Sequence, residues 1–461
     1  MLFHSTRGQA PKVDFKTAVF SGLAPDGGLY MPDHWPQFDV GEMKNASYLT
    51  VAHHIIKAFT GNCLSDDKLT SILEKAYSSF PEADIIPQTK LEDNLYLMEL
   101  FHGPSLSFKD VALQFIGALF DGLMTGGEAP VTILGATSGD TGSAAITAFA
   151  GKQNCRIVML HPHGRISQVQ RLQMTTVLAD NVLNVAVDGD FDQCQGLVKK
   201  LMADGVFNQT HALTTVNSIN WSRIAAQSVY YAYFSMKYAT SSHKAVNFIV
   251  PSGNFGNAFS AHVARRMGFP VGTVHAATNA NDGLTKLIND GTFTPQKTKA
   301  TLSPAMDIQW ASNYERLLFD LAGGGSDDLS AYINAYTNNQ SFQMSDKLKD
   351  KVGNYFSSQT VSEEQTENMI LAANKNWNIE IDPHTAVGLS VATSVSNMDD
   401  IFISLATAHP CKFPETYEKT TGTKPKTPAS IDSLWNKPEK FKECAANADD
   451  LKALINERLN P

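Results

Sequence analysis

A lysine can condense with an aldehyde only as the neutral amine, and one segment of this sequence offers a lysine suited to that state. In His102–Gly103–Pro104–Ser105–Leu106–Ser107–Phe108–Lys109–Asp110, Lys109 opens a helix-period stretch, Phe108–Leu123, whose other face is apolar (Val111, Phe115, Leu119). A helix N-terminus disfavours a cation, and apolar neighbours desolvate it; both effects depress an amine pKa. Two turns elsewhere have the make-up of anion sites. Gly135–Ala136–Thr137–Ser138–Gly139–Asp140–Thr141–Gly142 follows an apolar strand and opens a helix, so its glycines and hydroxyls lie at exposed N–H groups and the positive end of a dipole. Pro251–Ser252–Gly253–Asn254–Phe255–Gly256–Asn257 repeats the arrangement, its glycines letting backbone approach a phosphate closely. Polar residues Asn217 and Ser218 precede a long helical stretch that carries Arg223, a suitable donor to a phosphate or carboxylate. Thr407, at the end of an apolar strand, could present a hydroxyl to a bound ring. Each feature has an ordinary reading: a solvated lysine, a capped turn, a Gly-rich connection, a surface arginine, a strand-end threonine. Their combination is what points to a covalently held, phosphate-bearing cofactor beside a substrate anion.

The elements that must position these residues read as α/β. Apolar β-rich runs at Val131–Leu134, Ile157–Leu160, Val182–Val187, Leu213–Val216, Val246–Val250, Val271–Ala276 and Ile401–Leu405 alternate with helix-period segments such as Ser143–Ala150, Val169–Leu178, Ile219–Tyr238 and Ala258–Met267. That alternation is the sequence form of parallel sheets covered by helices, with ligand sites at the strands' C-terminal edges. Before about residue 90 the pattern is mostly helical, as in Tyr48–Phe59 and Asp67–Ser78. The expected organisation is an N-terminal helical domain over 1–90 and a first α/β lobe over 91–240. A second lobe over 241–425 carries a strand-free helical insertion at about 313–376, and a helical tail covers 426–461.

With 461 residues, 43% of them hydrophobic, the chain has material for two or three packed units. A net charge of −9 without a basic run argues against nucleic acid as a partner. No stretch approaches the length of a membrane span, and the first residues lack the apolar centre of a secretory signal, so a cytoplasmic protein is expected. Cys63, Cys155, Cys194, Cys411 and Cys444 are scattered, without CxxC or metal-ligand spacing. His161–Pro162–His163 and Asp382–Pro383–His384 lack further ligands at usual spacings, so no metal is expected and His384 reads as capping or packing. A nucleotide-binding oxidoreductase is disfavoured because the first turn is GxxxGxxG and not GxGxxG.

The segments around Lys109, Thr137, Ser218 and Asn254 occur in that order, followed by Thr407–Ala408–His409–Pro410–Cys411–Lys412–Phe413–Pro414 and preceded by Ser5–Thr6–Arg7–Gly8 and Ala24–Pro25–Asp26–Gly27–Gly28–Leu29–Tyr30–Met31–Pro32. Over nearly the whole chain they resemble the threonine synthases of the longer, microbial and fungal class. The resemblance implies a fold like that of tryptophan synthase β-subunits (type II of the pyridoxal-phosphate enzymes): two parallel-sheet lobes with pyridoxal 5'-phosphate between them, preceded by a mostly helical domain. It also implies a lyase that converts O-phospho-L-homoserine and water to L-threonine and phosphate by γ-elimination and β-addition. Carried onto this chain, Lys109 forms the Schiff base, and Gly253, Asn254, Phe255, Gly256 and Asn257 hold the cofactor phosphate. Thr407 meets the pyridine nitrogen. Thr137, Ser138, Asp140 and Thr141 form the loop for the substrate carboxylate, and Asn217, Ser218 and Arg223 the site for its phosphate. Many relatives carry Asn where this chain has Asp140. Monomer and homodimer both stay open. The rival within the same chemistry is a phospho-lyase releasing 2-oxobutyrate, ammonia and phosphate; the intact Gly253–Asn257 turn and Thr407 weigh against it.

Overall fold

The computed structural model describes residues 1–81, 84–124, 129–240, 245–324, 327–397 and 399–459. Two sheets form its frame, as the alternating pattern predicts. The first-lobe sheet has five parallel strands in the spatial order Lys442–Ala445, Val182–Asp188, Cys155–Pro162, Val131–Ala136, Leu213–Thr214. The second-lobe sheet has six, ordered Phe356–Thr360, Val271–Thr278, Val246–Pro251, Ile401–Ala406, Leu95–Glu99, Gln88–Lys90. All of these run parallel except the last, which is antiparallel to Leu95–Glu99. Helices cover the sheets, so the inner strands Cys155–Pro162 and Val246–Pro251 are buried almost throughout. The junction drawn at residues 240 and 241 borders residues 241–244, which lie outside the described residues.

Three strands depart from the sequence reading. Phe356–Thr360 lies inside the stretch expected to be purely helical; it is a half-exposed edge strand with one apolar residue, so it carries no apolar run. Leu95–Glu99, in the segment assigned to the first lobe, pairs with Ile401–Ala406 of the second. A strand's own residues do not encode which sheet recruits it. Lys442–Ala445, in the tail expected to be helical, extends the first-lobe sheet. Its Lys442 and Glu443 suit an exposed edge, and the helix after it, Ala448–Leu459, buries Leu451 and Ile455 against the cluster holding Val185 and Val187.

These departures set where the chain changes lobes. It leaves the second-lobe sheet after Glu99 and enters the first lobe at Lys109; it leaves that sheet again after Ala406. The two crossings pair with each other: Leu100 N donates to Ala406 O at 3.0 Å, Phe108 N to Thr407 O at 2.8 Å, and His409 N to Leu106 O at 3.0 Å.

The N-terminal helices Tyr48–Thr60 and Asp66–Tyr77 start at serine caps, Ser47 and Ser65, which accept from Thr50 N and Lys68 N. Their buried faces share one hydrophobic cluster with the lobes. Tyr77 OH donates to Val111 O, in the first turn of the helix that begins at Lys109, at 3.1 Å. Among the described residues no helix is long and apolar enough to cross a membrane.

Backbone contact sets how the helix Lys109–Leu123 meets the helix Asp140–Phe149. A Cβ on Gly117 would lie 2.3 Å from Ala148 O, so only glycine permits this approach. Gly117→Val is expected to lower stability by about 2–3 kcal/mol through forced separation of the helices, read as a drop in the thermal unfolding midpoint followed by circular dichroism.

Candidate active site

Lys109 is the first residue of its helix, with Phe108 as N-cap. It is buried, at 8% exposure, with its amine 4.9 Å from the centre of the Phe108 ring. The amine donates to Asp140 Oδ2 at 3.2 Å. Burial is the strongest influence and lowers the amine's pKa; Asp140 opposes it, while Lys412 and Arg223 reinforce it. The balance favours the neutral amine relative to an ordinary lysine.

Asp140 opens the next helix behind Gly139, whose φ of 138° belongs to glycine and where a Cβ would lie 2.3 Å from Gln170 Oε1. Its Oδ1 faces Lys412 Nζ at 3.1 Å and accepts from Gln170 Nε2 at 2.9 Å. Burial pushes the carboxyl up more than any other single influence, but the charges of Lys109 and Lys412 and the hydrogen bond from Gln170 hold it well below the usual carboxylate range. The sequence reading groups Asp140 with a loop for a substrate carboxylate. In the structure its charge meets two lysines, Lys109 and Lys412. On the same turn Thr137 Oγ1 accepts from Gly139 N at 2.9 Å and Gly142 N at 2.8 Å, so this hydroxyl shapes the loop. Ser138 and Thr141 are half-buried beside it.

The turn after Val246–Pro251 has the features of a phosphate cradle. Phe255 is left-handed (φ 60°, ψ 0°), a rare conformation outside glycine, and is held by ring contacts to Tyr314 at 5.3 Å and Phe356 at 5.2 Å. A Cβ on Gly253 would lie 2.8 Å from Ala305 O. Gly256 and Asn257 begin the helix Gly256–Arg266, so their N–H groups have no acceptor within it. Among the described residues Ser252 Oγ and Asn257 Nδ2 are buried without a hydrogen-bond partner. First-turn amides, a left-handed bend and two unpaired polar groups fit the phosphate of pyridoxal phosphate.

A second anion site adjoins the first. Arg223 is buried, its Nη1 donates to Val216 O at 3.4 Å, and its Nε is buried without a partner among the described residues. Among the described residues no carboxylate pairs with Arg223, and burial lowers its pKa to about 10. Asn313 Nδ2 joins the two sites, donating to Ser218 O and Asn254 O, each at 3.1 Å. Asn313 is held in turn by Arg316, a fully buried guanidinium that reaches Asn313 Oδ1 at 2.5 Å, Ile219 O at 2.6 Å and Tyr30 O at 3.1 and 3.2 Å. The N-terminal region thus supplies a carbonyl to the scaffold of the site. Asn217 is exposed, and its Oδ1 accepts from Ile219 N at 3.2 Å, bracing its own turn.

Thr407 is buried and tied by its carbonyl to Phe108, the residue before the lysine. Its N–H donates to Thr385 Oγ1 at 3.2 Å, and Thr385 Oγ1 donates to Asp382 Oδ1. Asp382 Oδ2 also holds His384 Nδ1 at 2.7 Å, while His384 Nε2 accepts from Ala305 N at 3.2 Å. An acceptor at Nε2 places the ring proton on Nδ1, so His384 is the neutral tautomer that donates to Asp382. Asp382 therefore anchors both Thr407 and the segment that covers Gly253. Sequence reasoning assigned no role to Lys412, Gln170, Asn313, Arg316 or Asp382. Asp382 is legible as the N-cap of a helix opening Pro383–His384; the others gave no local signal. Among the described residues no group of three His, Cys, Asp or Glu could hold a metal ion.

Asp110, fully buried beside Lys109, accepts from Ser105 N through Oδ2 at 2.8 Å and leaves Oδ1 unpaired. Burial raises its pKa from 3.8 to about 6, against opposing hydrogen bonds from Ser105 and the charge of Lys412. The folded chain thus binds this proton more tightly than the unfolded chain does. The resulting stabilisation is complete below 3.8 and is lost as pH rises through about 6. Asp110→Asn is expected to remove this loss, gaining about 2 kcal/mol on the parent between about pH 4 and about pH 8, measured as thermal midpoints of both proteins at the two pH values.

Comparison with known proteins agrees with this geometry. A family model described as "Threonine synthase N terminus" matches residues 2–77, one described as "Pyridoxal-phosphate dependent enzyme" matches 85–353, and one described as "Threonine synthase, C-terminal" matches 385–455. The chain is 40% identical to threonine synthase of Pseudomonas aeruginosa over 445 residues, covering 95% of each protein. It is 40% identical to threonine synthase of Saccharomyces cerevisiae over 451 residues, covering 89% of this chain and 87% of that one. The crystal structure of pyridoxal-phosphate-bound threonine synthase from Brucella melitensis superposes with a TM-score of 0.96 at 36% identity, covering 100% of both chains. This chain belongs to the threonine synthase family of pyridoxal-phosphate-dependent enzymes.

Proposed function

We propose that this chain converts O-phospho-L-homoserine and water to L-threonine and phosphate, with Lys109 as both the covalent anchor of pyridoxal phosphate and the acid–base group. The observation that carries the reading is a buried amine, shifted toward neutrality, with one carboxylate acceptor and, elsewhere in the same fold, two turns with unpaired donors suited to anions. Bound pyridoxal phosphate supplies an electron sink for negative charge at the substrate α-carbon. The turn Gly253–Asn257 holds the cofactor phosphate, and Thr407 faces the ring nitrogen with a hydroxyl in place of a carboxylate. Thr137, Ser138 and Thr141 present the loop that takes the substrate carboxylate. Arg223, with Ser218 and Asn217 in its turn, takes the substrate phosphate; its missing counter-ion suits it to a charged guest.

Lys109 Nζ would take the proton from the substrate Cα, release it and, neutral again, take one from Cβ as phosphate leaves Cγ. Those two protons, with the one that water sheds on adding at Cβ, would be returned to Cγ, to Cα and to the departing phosphate. One base serves these steps because the departing phosphate can carry protons between neighbouring carbons. Asp140 keeps the amine oriented by accepting from it.

Incubation with O-phospho-L-homoserine is expected to release threonine and phosphate in equal amounts. Phosphate accompanied by 2-oxobutyrate and ammonia would instead establish the phospho-lyase reading. Borohydride reduction of the holoenzyme should leave a pyridoxyl group on Lys109, and Lys109→Ala should abolish turnover. Arg223→Gln is expected to raise KM for the phosphorylated substrate by about 10- to 100-fold, the loss of a hydrogen bond to a charged group, as read from initial-rate kinetics.

A further inference from the structure

Asp140 sits between two lysines that are not equivalent. Lys412 Nζ, at 0% exposure, is surrounded by acceptors: Ser105 O at 2.6 Å, Gln173 Oε1 at 3.0 Å, Asp140 Oδ1 at 3.1 Å and Ser143 Oγ at 3.3 Å. An ammonium offers three donors and no lone pair, which this shell matches; a neutral amine would turn its lone pair toward oxygens. Lys109 Nζ has one acceptor among the described residues, Asp140 Oδ2, and otherwise faces the Phe108 ring. Lys412 comes from the second chain crossing and reaches across to Ser105, Ser143 and Gln173 of the first lobe, while Ser167 Oγ donates to its carbonyl at 3.1 Å. The other charged or titratable groups acting on the two lysines and Asp140 are Asp110, Arg223, His384 and His409.

A carboxylate 3.2 Å from a lysine would ordinarily hold that lysine as its ammonium, the wrong state for condensation with an aldehyde. We propose that Lys412 is the permanent counter-ion of Asp140, and that by meeting this carboxylate's charge it leaves Lys109 free to lose its proton and bond to the cofactor. The inference rests on the reading of Lys109 as the cofactor's anchor. In the step concerned, neutral Nζ attacks the aldehyde carbon, both N–H protons leave with the carbonyl oxygen as water, and a C=N bond forms. Lys412 touches neither aldehyde nor substrate; it is a positioning residue whose charge offsets that of Asp140 at the Lys109 amine. The arrangement also leaves Asp140 an ion-pair partner once Lys109 is engaged elsewhere.

The test uses the full chain freed of cofactor with hydroxylamine, to which pyridoxal phosphate is returned while the imine absorbance is followed across pH. Because only the neutral amine condenses, the half-point of the rate profile reports the Lys109 pKa. Lys412→Gln is expected to raise the half-point by about one pH unit, making condensation about tenfold slower below it. Lys412→Arg, which keeps the charge, should stay near the parent. Asp140→Asn should lower the half-point, and Lys412→Gln combined with Asp140→Asn should bring it back up toward the parent. The double variant removes both buried charges together, so it folds even where the single lysine variant does not. Coincident half-points for Asp140→Asn and the double variant would overturn the proposal, as would a folded Lys412→Gln that titrates like the parent. Absence of a pyridoxyl group on Lys109 of the reduced parent holoenzyme would instead overturn the anchor itself.

Discussion

The buried carboxylate of Asp140, shared by Lys109 at 3.2 Å and Lys412 at 3.1 Å, is the interaction around which the centre of this molecule is organised. A carboxylate at 6% exposure is costly unless paired, and each of these lysines is costly unless the carboxylate is charged. The three come from separate places: the first turns of two helices and the short turn after Ile401–Ala406. Satisfying them therefore fixes how those elements meet. Gly117 is a consequence of the same demand, since a side chain there would push the two helices apart, and Gly139 leaves room for Gln170, which donates to Asp140.

The two lobes meet along the paired crossings, and this explains why Lys109 and Thr407 are neighbours although about 300 residues separate them in the sequence. Backbone hydrogen bonds between Leu100 and Ala406, Phe108 and Thr407, and His409 and Leu106 make a short seam that holds the two residues together. Behind the seam, Asp382 holds Thr407 through Thr385 and the cover of Gly253 through His384. One buried acid so couples Thr407 to the turn at Gly253. The N-terminal region, to which no chemistry could be assigned from its residues, has a positional role. Its Tyr30 carbonyl completes the acceptor set of Arg316, which holds Asn313 against both anion turns.

Local sequence carried much of the fold. Continuous apolar runs between helix-period segments identify the inner strands at Val131, Cys155, Val182, Val246, Val271 and Ile401, because strands buried on both faces can hold little that is polar. Phe356–Thr360 and Lys442–Ala445 escaped because edge strands face water on one side and read as polar text. Leu95–Glu99 was misallotted between lobes because partner choice in a parallel sheet is made over long separations.

By itself the sequence determined the chemistry on offer: a lysine at a helix start, two Gly- and hydroxyl-rich strand-to-helix turns, an arginine on a long helix and a threonine at a strand end, each defined within a few consecutive residues. Only the tertiary structure decided the charge states. Lys109 leans toward neutrality first because the fold buries it, with Asp140 opposing and Lys412 and Arg223 reinforcing from three other parts of the chain. Lys412 reads as an ordinary basic residue until the fold encloses it among four acceptors. Electrostatic energy depends on separation in space and on burial, and neither is a property of spacing along the chain.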